Sequence, residues 1–176
     1  MSVNGHTATQ DCIYQMTPPR AICGIIYKAN KLTFEIMTDV SVLVDSRGGN
    51  TRKIADAIAE EMGIKAGDVT TSPPEDAKIL FLGSGTYGGK PGEAMMKFIG
   101  SGNFSGSKVA IFGTSASVAG GQKMIDAMTD ILKQKVTTIL GSYHCRGKMF
   151  LVNRGHPNKE ELDNARKFAR EMLNKS

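Results

Sequence analysis

Three apolar segments of this chain each end at a short run of glycine and small polar residues, and this repeated arrangement restricts the folds available to it. The segments are residues 40–44, 79–82 and 109–112. Strands that are buried on both faces of a parallel sheet read as continuous apolar runs, and the ligand of an open α/β sheet lies beyond their carboxyl ends. The sequence therefore predicts one composite site. The polar runs that form it are residues 46–51, 84–89 and 114–117.

Strand-like and helix-like patterns alternate along the chain from residue 38 onwards. This alternation predicts a doubly wound α/β fold, in which right-handed crossovers place helices on both faces of a parallel sheet. We expect helices at 51–62, 91–99, 120–134 and 159–173, and strands at 40–44, 78–83, 108–113 and 136–141, the last interrupted near Gly147 and continued by 148–152. A weak strand near 68–71 and one helical turn at 72–75 are also expected.

The first 37 residues differ from the rest, because they show no sustained apolar periodicity and contain the pair Pro18-Pro19. We interpret residues 1–37 as an N-terminal extension and residues 38–176 as one domain. Met37 is a plausible native start, which would make the upstream segment a misassigned beginning. A flexible tail and an added edge strand are the other interpretations, and the sequence does not choose among the three.

Charge and hydropathy exclude several classes of function. The net charge is +5, but the Lys and Arg residues are scattered among acidic ones, so no nucleic-acid surface is predicted. No apolar stretch is long enough to cross a membrane, and the first residues do not resemble a signal peptide. We therefore expect a cytoplasmic protein with neither a membrane nor a nucleic-acid partner.

The cysteine and histidine residues predict no disulfide framework, metal site or catalytic set. Cys12, Cys23 and Cys145 are odd in number and widely spaced, and no pair has metal-ligand spacing. His144 and Cys145 are adjacent on a predicted strand, so their side chains point to opposite faces. We interpret Cys145 as a small, half-buried apolar residue and His156 as a loop or cap residue.

The first polar run leads directly into a helix, where backbone N–H groups and the helix dipole favour an anion. Its candidate binding residues are Ser46, Arg47, Gly48, Gly49, Asn50 and Thr51. The run lacks the lysine of a P-loop and the spacing of a dinucleotide-binding motif. It therefore suits a single phosphate ester better than a pyrophosphate.

The second polar run sets an aromatic residue among glycines, an arrangement that suits a flat ring. Its candidate residues are Ser84, Gly85, Thr86, Tyr87, Gly88 and Gly89. Tyr87 can stack on a planar ligand, which is worth roughly 0.5–1.5 kcal/mol beyond burial. The third run offers Thr114, Ser115 and Ala116, which are small enough to pass along the edge of a ring.

Together these runs resemble the flavin-binding loops of the flavodoxin family. Residues 46–51 resemble its phosphate loop, 83–88 its second flavin loop, and 108–115 its third; the endings 144–147 and 155–158 are also similar to those of short family members. The resemblance extends over about residues 38–173. It implies five parallel strands in the order 2-1-3-4-5 and FMN bound without a covalent bond.

The resemblance also implies which residues hold each part of FMN. Residues 46–51 would hold the phosphate, residues 86–89 would flank the ring with Tyr87 stacking, and residues 114–116 would line its other side. Gly88 and Gly89 would allow the peptide turnover of the family's second loop. Gly48 stands where the family usually has Thr, which removes a hydroxyl donor worth about 0.5–1.5 kcal/mol.

Three functions follow from these observations. The first is an FMN-binding electron carrier that exchanges electrons with redox partner proteins, a reductase and an acceptor, and needs no catalytic side chain. The second is an FMN-dependent NAD(P)H or quinone reductase, because the third loop lacks the second aromatic that commonly covers the ring. The third is a flavodoxin-like domain that has lost flavin.

Overall fold

The computed structural model describes residues 39–69, 73, 77–149 and 151–176. The predicted extension, residues 1–37, lies outside the described residues. So do Cys12, Cys23 and most of the helical turn expected at 72–75.

The centre of the domain is a sheet of five parallel strands. Its strands are β1 (Val40–Asp45), β2 (Gly67–Asp68), β3 (Ile79–Tyr87), β5 (Lys108–Ser115) and β6 (Thr138–Arg146), and a short β4 (Lys90–Pro91) pairs antiparallel with the end of β3. The parallel strands follow the order β2-β1-β3-β5-β6. When β4 is left out of the numbering, this is the predicted order 2-1-3-4-5, so the predicted fold is confirmed.

Four helices cover the two faces of this sheet in the described part of the chain. They are α1 (Asn50–Glu61), α2 (Glu93–Ser101), α3 (Val118–Lys133) and α4 (Lys159–Asn174). Helices α1 and α4 pack on one face, where Ile54, Ile58 and Phe168 meet Phe81 and Phe112. Among the described residues, no helix has both the length and the apolar character needed to span a bilayer.

The opposite face of the sheet packs against α2 and α3. Met124, Met128 and Leu132 recur every four residues along α3 and are fully buried against strand residues such as Leu80 and Ile111. Successive residues of the central strands therefore alternate between the two cores while staying buried on both sides. This explains the continuous apolar runs in the sequence.

Local signals set several helix ends as predicted. Gly63 follows α1 with φ +67°, and its N–H donates to the carbonyl of Glu60 while Ile64 N–H donates to that of Ala59, which forms a Schellman motif. At the start of α4, Asn158 accepts from the Glu161 N–H and Glu161 accepts from the Asn158 N–H. This reciprocal pair is the predicted capping box.

The predicted end of β3 and the predicted start of α2 are wrong, both at the carboxyl edge of the sheet. Strand β3 continues past Gly83 to Tyr87, because it keeps pairing with β5 and then turns at Gly88 and Gly89 into β4. Both glycines have positive φ, as a two-residue hairpin turn requires. Pro91 consequently lies in β4, and α2 begins only at Glu93.

The last strand also differs from its prediction of 136–141 with a continuation at 148–152. It spans Thr138–Arg146 without interruption, and the chain then leaves the sheet. Among the residues that the structure describes, Met149 and Val152 pair only with each other, through N–H···O bonds of 3.0 and 2.8 Å. Val136, at φ +56°, precedes the strand instead of belonging to it.

Asp45, the last residue of β1, caps helix α2 from a distant part of the chain. Its Oδ2 accepts a hydrogen bond of 3.2 Å from the Met95 N–H, in the first turn of the helix. Gly92 precedes that turn, and a Cβ on Gly92 would overlap the Asp45 carboxylate. The glycine is therefore required by a close contact, since its own φ of −62° suits any residue.

We predict that Gly92→Ala lowers the free energy of unfolding by about 1–3 kcal/mol, because the added methyl group displaces the capping carboxylate. Gly100→Ala is the matched control: Gly100 lies in α2 with open space at its Cβ position. It should raise stability by up to about 1 kcal/mol through helix propensity. Urea unfolding of both variants measures the effect, and equal changes of the same sign would contradict the contact.

Candidate functional site

The three polar runs meet in one cavity at the carboxyl edge of the parallel strands. The cavity has a volume of about 290 Å³ and belongs at the lower end of the range for small-molecule sites. Its lining includes residues of every run: Ser46, Gly48, Asn50, Thr51, Gly85, Thr86, Tyr87, Thr114, Ser115 and Ala116. The predicted convergence of the three runs is therefore found in the structure.

Five of the predicted residues do not line this cavity but shape it. Ser84 is fully buried, and its hydroxyl accepts from the Gly92 N–H at 2.8 Å and donates to the Gly85 carbonyl at 2.9 Å. Ser84 thereby fixes the hairpin instead of facing a ligand. The other four are Arg47, Gly49, Gly88 and Gly89, of which the glycines hold turns at positive φ.

The first run forms the N-terminal end of α1 and exposes backbone donors to the cavity. Gly49 precedes the helix with φ +78° and gives it no side-chain cap. Within the described part of the chain, the N–H groups of Gly48, Gly49, Asn50 and Thr51 donate to no other protein group. These donors, together with the positive end of the helix dipole, form a cradle that suits an anion.

A buried hydrogen bond joins the first run to the third. The Oγ1 atoms of Thr51 and Thr114 lie 2.8 Å apart, and both residues are almost fully buried. Either oxygen can be the donor. Because each hydroxyl has one proton, the oxygen that accepts still has its own proton to donate. The pair therefore supports the cavity floor and leaves one O–H donor for a ligand.

Thr86 provides the clearest sign that the cavity is built for a ligand. Its Oγ1 is buried and has no hydrogen-bond partner among the described residues. A buried hydroxyl without a partner costs about 1–3 kcal/mol. Thr86 lines the cavity, so a ligand with a polar edge there would satisfy this atom.

Tyr87 connects the second run to the first. Its hydroxyl accepts a hydrogen bond of 3.1 Å from the Arg47 N–H, and the Arg47 guanidinium lies 4.5 Å from the centre of its ring. A cation over a tyrosine face contributes about 0.5–1 kcal/mol at an exposed site. Arg47 therefore covers one face of Tyr87, and the side chain predicted to stack on a ligand already has a stacking partner.

Part of the cavity wall lies outside the residues predicted from the sequence. Gly147, Lys148 and Met149 line the cavity, although they follow β6 and lie outside the three runs. Asn50 Nδ2 donates to the Lys148 carbonyl at 2.8 Å, and the Gly147 N–H donates to Ser115 at 2.9 Å. The ending 144–147 resembles that of short family members, but this resemblance assigns it no role, and a lysine and a glycine after a strand are too common to identify a site.

A second cavity, of about 420 Å³, lies beside β6, and its main polar groups are already engaged. The Glu161 carboxylate accepts from the Asn158 N–H at 2.7 Å and from the Arg146 N–H at 3.3 Å, and it lies 2.8 Å from His156 Nδ1. Tyr143 donates to the Glu161 carbonyl at 2.8 Å. We assign this cavity a structural role, because its hydrogen bonds hold the chain before α4.

Cys145 borders the second cavity, and its thiol has low reactivity. Burial, and to a lesser degree the negative charge of Glu161, raises the pKa of its thiol to about 12. The thiol therefore stays protonated at neutral pH and is a weak nucleophile. Burial also raises the pKa of Tyr143 well above its usual value, so neither side chain provides acid–base chemistry here.

Comparison with known proteins identifies the family and the fold that this chain resembles. Residues 41–152 match the family described as "Flavodoxin domain". An uncharacterized protein of Methanocaldococcus jannaschii is 30% identical over 135 residues, which are 70% of this chain and 90% of that protein.

Solved structures with the same fold include two oxidised flavodoxins from Bacillus cereus. Flavodoxin 2 superposes with a TM-score of 0.63 at 17% identity and covers 78% of this chain and 99% of its own. Flavodoxin 1 superposes with a TM-score of 0.62 at 22% identity and covers 77% of this chain and 97% of its own. At these identities the likeness establishes the fold alone.

We predict that Thr51→Val and Thr114→Val have strongly coupled effects on the free energy of unfolding. Either single substitution leaves a buried hydroxyl without its partner and should cost about 1–3 kcal/mol of unfolding free energy. The double variant removes both hydroxyls, so its cost should fall short of the sum of the two single costs by at least about 0.5 kcal/mol. Additive costs in denaturant unfolding would contradict the hydrogen bond.

We predict that Cys145 is protected from alkylation and disulfide exchange in the native protein. In a Cys12→Ser/Cys23→Ser background at pH 8, Ellman's reagent should react at least about a hundredfold more slowly with the native chain than with the chain in guanidinium. The same background with Cys145→Ser gives the blank rate. Rapid stoichiometric reaction of the native protein would show that the thiol pKa is not raised.

Proposed function

We propose that this chain, which belongs to the flavodoxin domain family, binds FMN and carries electrons between redox partner proteins. The observation that carries the proposal is the unpartnered Thr86 hydroxyl in a cavity whose other end is a cradle of free N–H groups. FMN has a polar ring edge and a phosphate, so it offers one group to each end. The residues present fit FMN in this respect.

The phosphate half of the site would be formed by the start of α1. The free N–H groups of residues 48–51 and the side chains of Ser46, Asn50 and Thr51 are the available donors. Ser46 Oγ also accepts from the Arg52 N–H at 3.2 Å, which leaves its own proton for an anion. Lys148 adds positive charge at this wall, where Gly48 provides no hydroxyl.

The ring half would be formed by the ends of β3 and β5. Thr86 offers its hydroxyl, and Gly85 and Ala116 line the wall without bulky side chains. Tyr87 and Arg47 form a stacked pair at the boundary between the two halves. For Tyr87 to stack on a planar ring with the face that Arg47 now covers, the guanidinium has to move aside.

The chemistry of a carrier of this kind belongs to its cofactor: bound FMN supplies reversible oxidation and reduction at its isoalloxazine ring. The protein's part is to bind, to orient and to exclude water. The described residues of the cavity offer hydroxyls, amides, backbone groups and the Lys148 side chain, which suit the binding and orientation of a cofactor.

We predict that Thr86→Val has opposite effects on the apoprotein and on binding. Valine replaces the unpartnered hydroxyl with a methyl group, so the apoprotein should gain about 1 kcal/mol of stability. Loss of the hydrogen bond to the ligand should weaken the binding of FMN and of riboflavin equally, by about two- to tenfold. Fluorescence quenching titrations and urea unfolding of the apoprotein measure the two quantities.

The matched control for the phosphate end of the cavity is Ser46→Ala. This variant should bind FMN more weakly and riboflavin with unchanged affinity, because riboflavin lacks the phosphate. If neither flavin quenches with the unmodified chain, FMN binding is refuted and a domain that has lost flavin is the better description. If both flavins bind with equal affinity, the cradle at α1 does not hold a phosphate.

A further inference from the structure

The connection between β6 and α4, residues 147–157, combines a cavity wall with an exposed apolar surface. Met149, Leu151 and Val152 are 49, 73 and 52% exposed. The described residues contain two other large apolar side chains with comparable exposure, Val118 and Val136, so most of this kind of surface lies in one short segment. We call Met149, Leu151 and Val152 the apolar tip.

Hydrogen bonds hold the apolar tip in a defined position. Asn153 Nδ2 donates to the Ala116 carbonyl at 3.0 Å and to the Gly147 carbonyl at 3.4 Å. The Met149–Val152 pair closes the turn, and the Lys148 N–H donates to His156 at 3.3 Å. Exposed apolar groups on a fixed support indicate an interaction surface.

Positively charged residues flank the apolar tip in the sequence. Arg146, Lys148 and Arg154 are exposed, and residues 146–158 contain no Asp or Glu. The nearest acidic residues in the sequence beyond this stretch are Glu160 and Glu161, and Glu161 is engaged with His156 and two backbone N–H groups. An apolar centre with a cationic rim fits a partner that has an apolar patch ringed by carboxylates.

The charges disfavour two occupants from this chain itself. Residues 1–38 contain Arg20, Lys28 and Lys31 against Asp11 and Glu35, so this segment is not acidic. A second copy would bring the same cationic rim and a net charge of +5 to a symmetric contact. Neither occupant supplies negative charge complementary to the cationic rim.

The position of the apolar tip favours a redox protein over an anionic membrane. Met149 belongs both to the tip and to the lining of the 290 Å³ cavity, so a partner seated on the tip comes close to the cofactor wall. This inference rests on the proposed FMN-binding function. We propose that the apolar tip with Arg146, Lys148 and Arg154 is the docking surface for an acidic redox protein.

The test uses the full chain loaded with FMN, and an acidic plant-type [2Fe–2S] ferredoxin as the probe. Calorimetric titration at low ionic strength measures association with the oxidised ferredoxin, and backbone amide NMR shifts of the FMN-loaded chain locate it. We expect binding that is lost as salt is added, with the largest shifts within residues 147–157. Arg154→Glu should weaken it by at least about tenfold, and Leu151→Ser by about threefold to tenfold.

Two control variants carry the same changes at the other edge of the sheet. Lys65 follows α1, so it lies about 18 Å along that helix from the cradle. Val136 precedes β6, which is about 30 Å long and separates Val136 from the apolar tip. The control variants are Lys65→Glu and Val136→Ser. Both should bind the ferredoxin as the unmodified chain does. FMN titration of the unmodified chain and of every variant comes first: failure of the unmodified chain to bind FMN refutes the proposed function, whereas normal FMN binding without docking refutes only the surface.

Other outcomes also overturn the proposal. Absence of association at low ionic strength, or equal weakening by Arg154→Glu and Lys65→Glu, would show that the tip is not the docking surface. Tight binding to vesicles containing phosphatidylserine, lost in Leu151→Ser, would assign the tip to a membrane. A dimer that Leu151→Ser dissociates, or a loss of more than about 1 kcal/mol of stability in that variant, would show that this chain already covers the tip.

Discussion

The register of the parallel strands is the constraint on which the rest of this structure depends. Asp45 of β1 lies opposite Ser84 of β3, Gly85 opposite Thr114 of β5, and Ser115 opposite Arg146 of β6. The polar ends of four strands therefore reach one edge together, although they are far apart in the sequence. A slip of one residue would exchange the two buried faces of a strand, so the two cores fix the register and the register assembles the cavity.

The two cavities show how the fold separates stability from binding. Beside β6, the Glu161 carboxylate is engaged with His156 and two backbone N–H groups, and the thiol of Cys145 is kept neutral. In the cavity at the ends of β1, β3 and β5, the Thr86 hydroxyl and the N–H groups at the start of α1 have no hydrogen-bond partner among the described residues. An unsatisfied buried group costs stability, and here the cost is confined to the cavity that several loops build jointly.

Much of the fold could be predicted because its signals are local. The four-residue spacing along α3 and the capping residues of α4 act within one or two helical turns, and both were found where predicted. The continuation of β3 to Tyr87 could not be predicted from Ser84–Gly85, because small polar residues have no strand preference of their own and pairing with β5 and β4 decides their conformation. The wall at Gly147 and Lys148 depends on contacts with Asn50 and Ser115, which no local pattern encodes.

The connection after β6 explains why this wall is tied down by side chains. It leaves the sheet at Arg146, so ladder hydrogen bonds no longer position it, and the Asn50 and Asn153 amides take over by donating to the carbonyls of Lys148, Ala116 and Gly147. These amides link the connection to both the first and the third polar run. A surface fixed in this way shares its backbone with the cavity wall, because Lys148 and Met149 belong both to the connection and to the cavity lining.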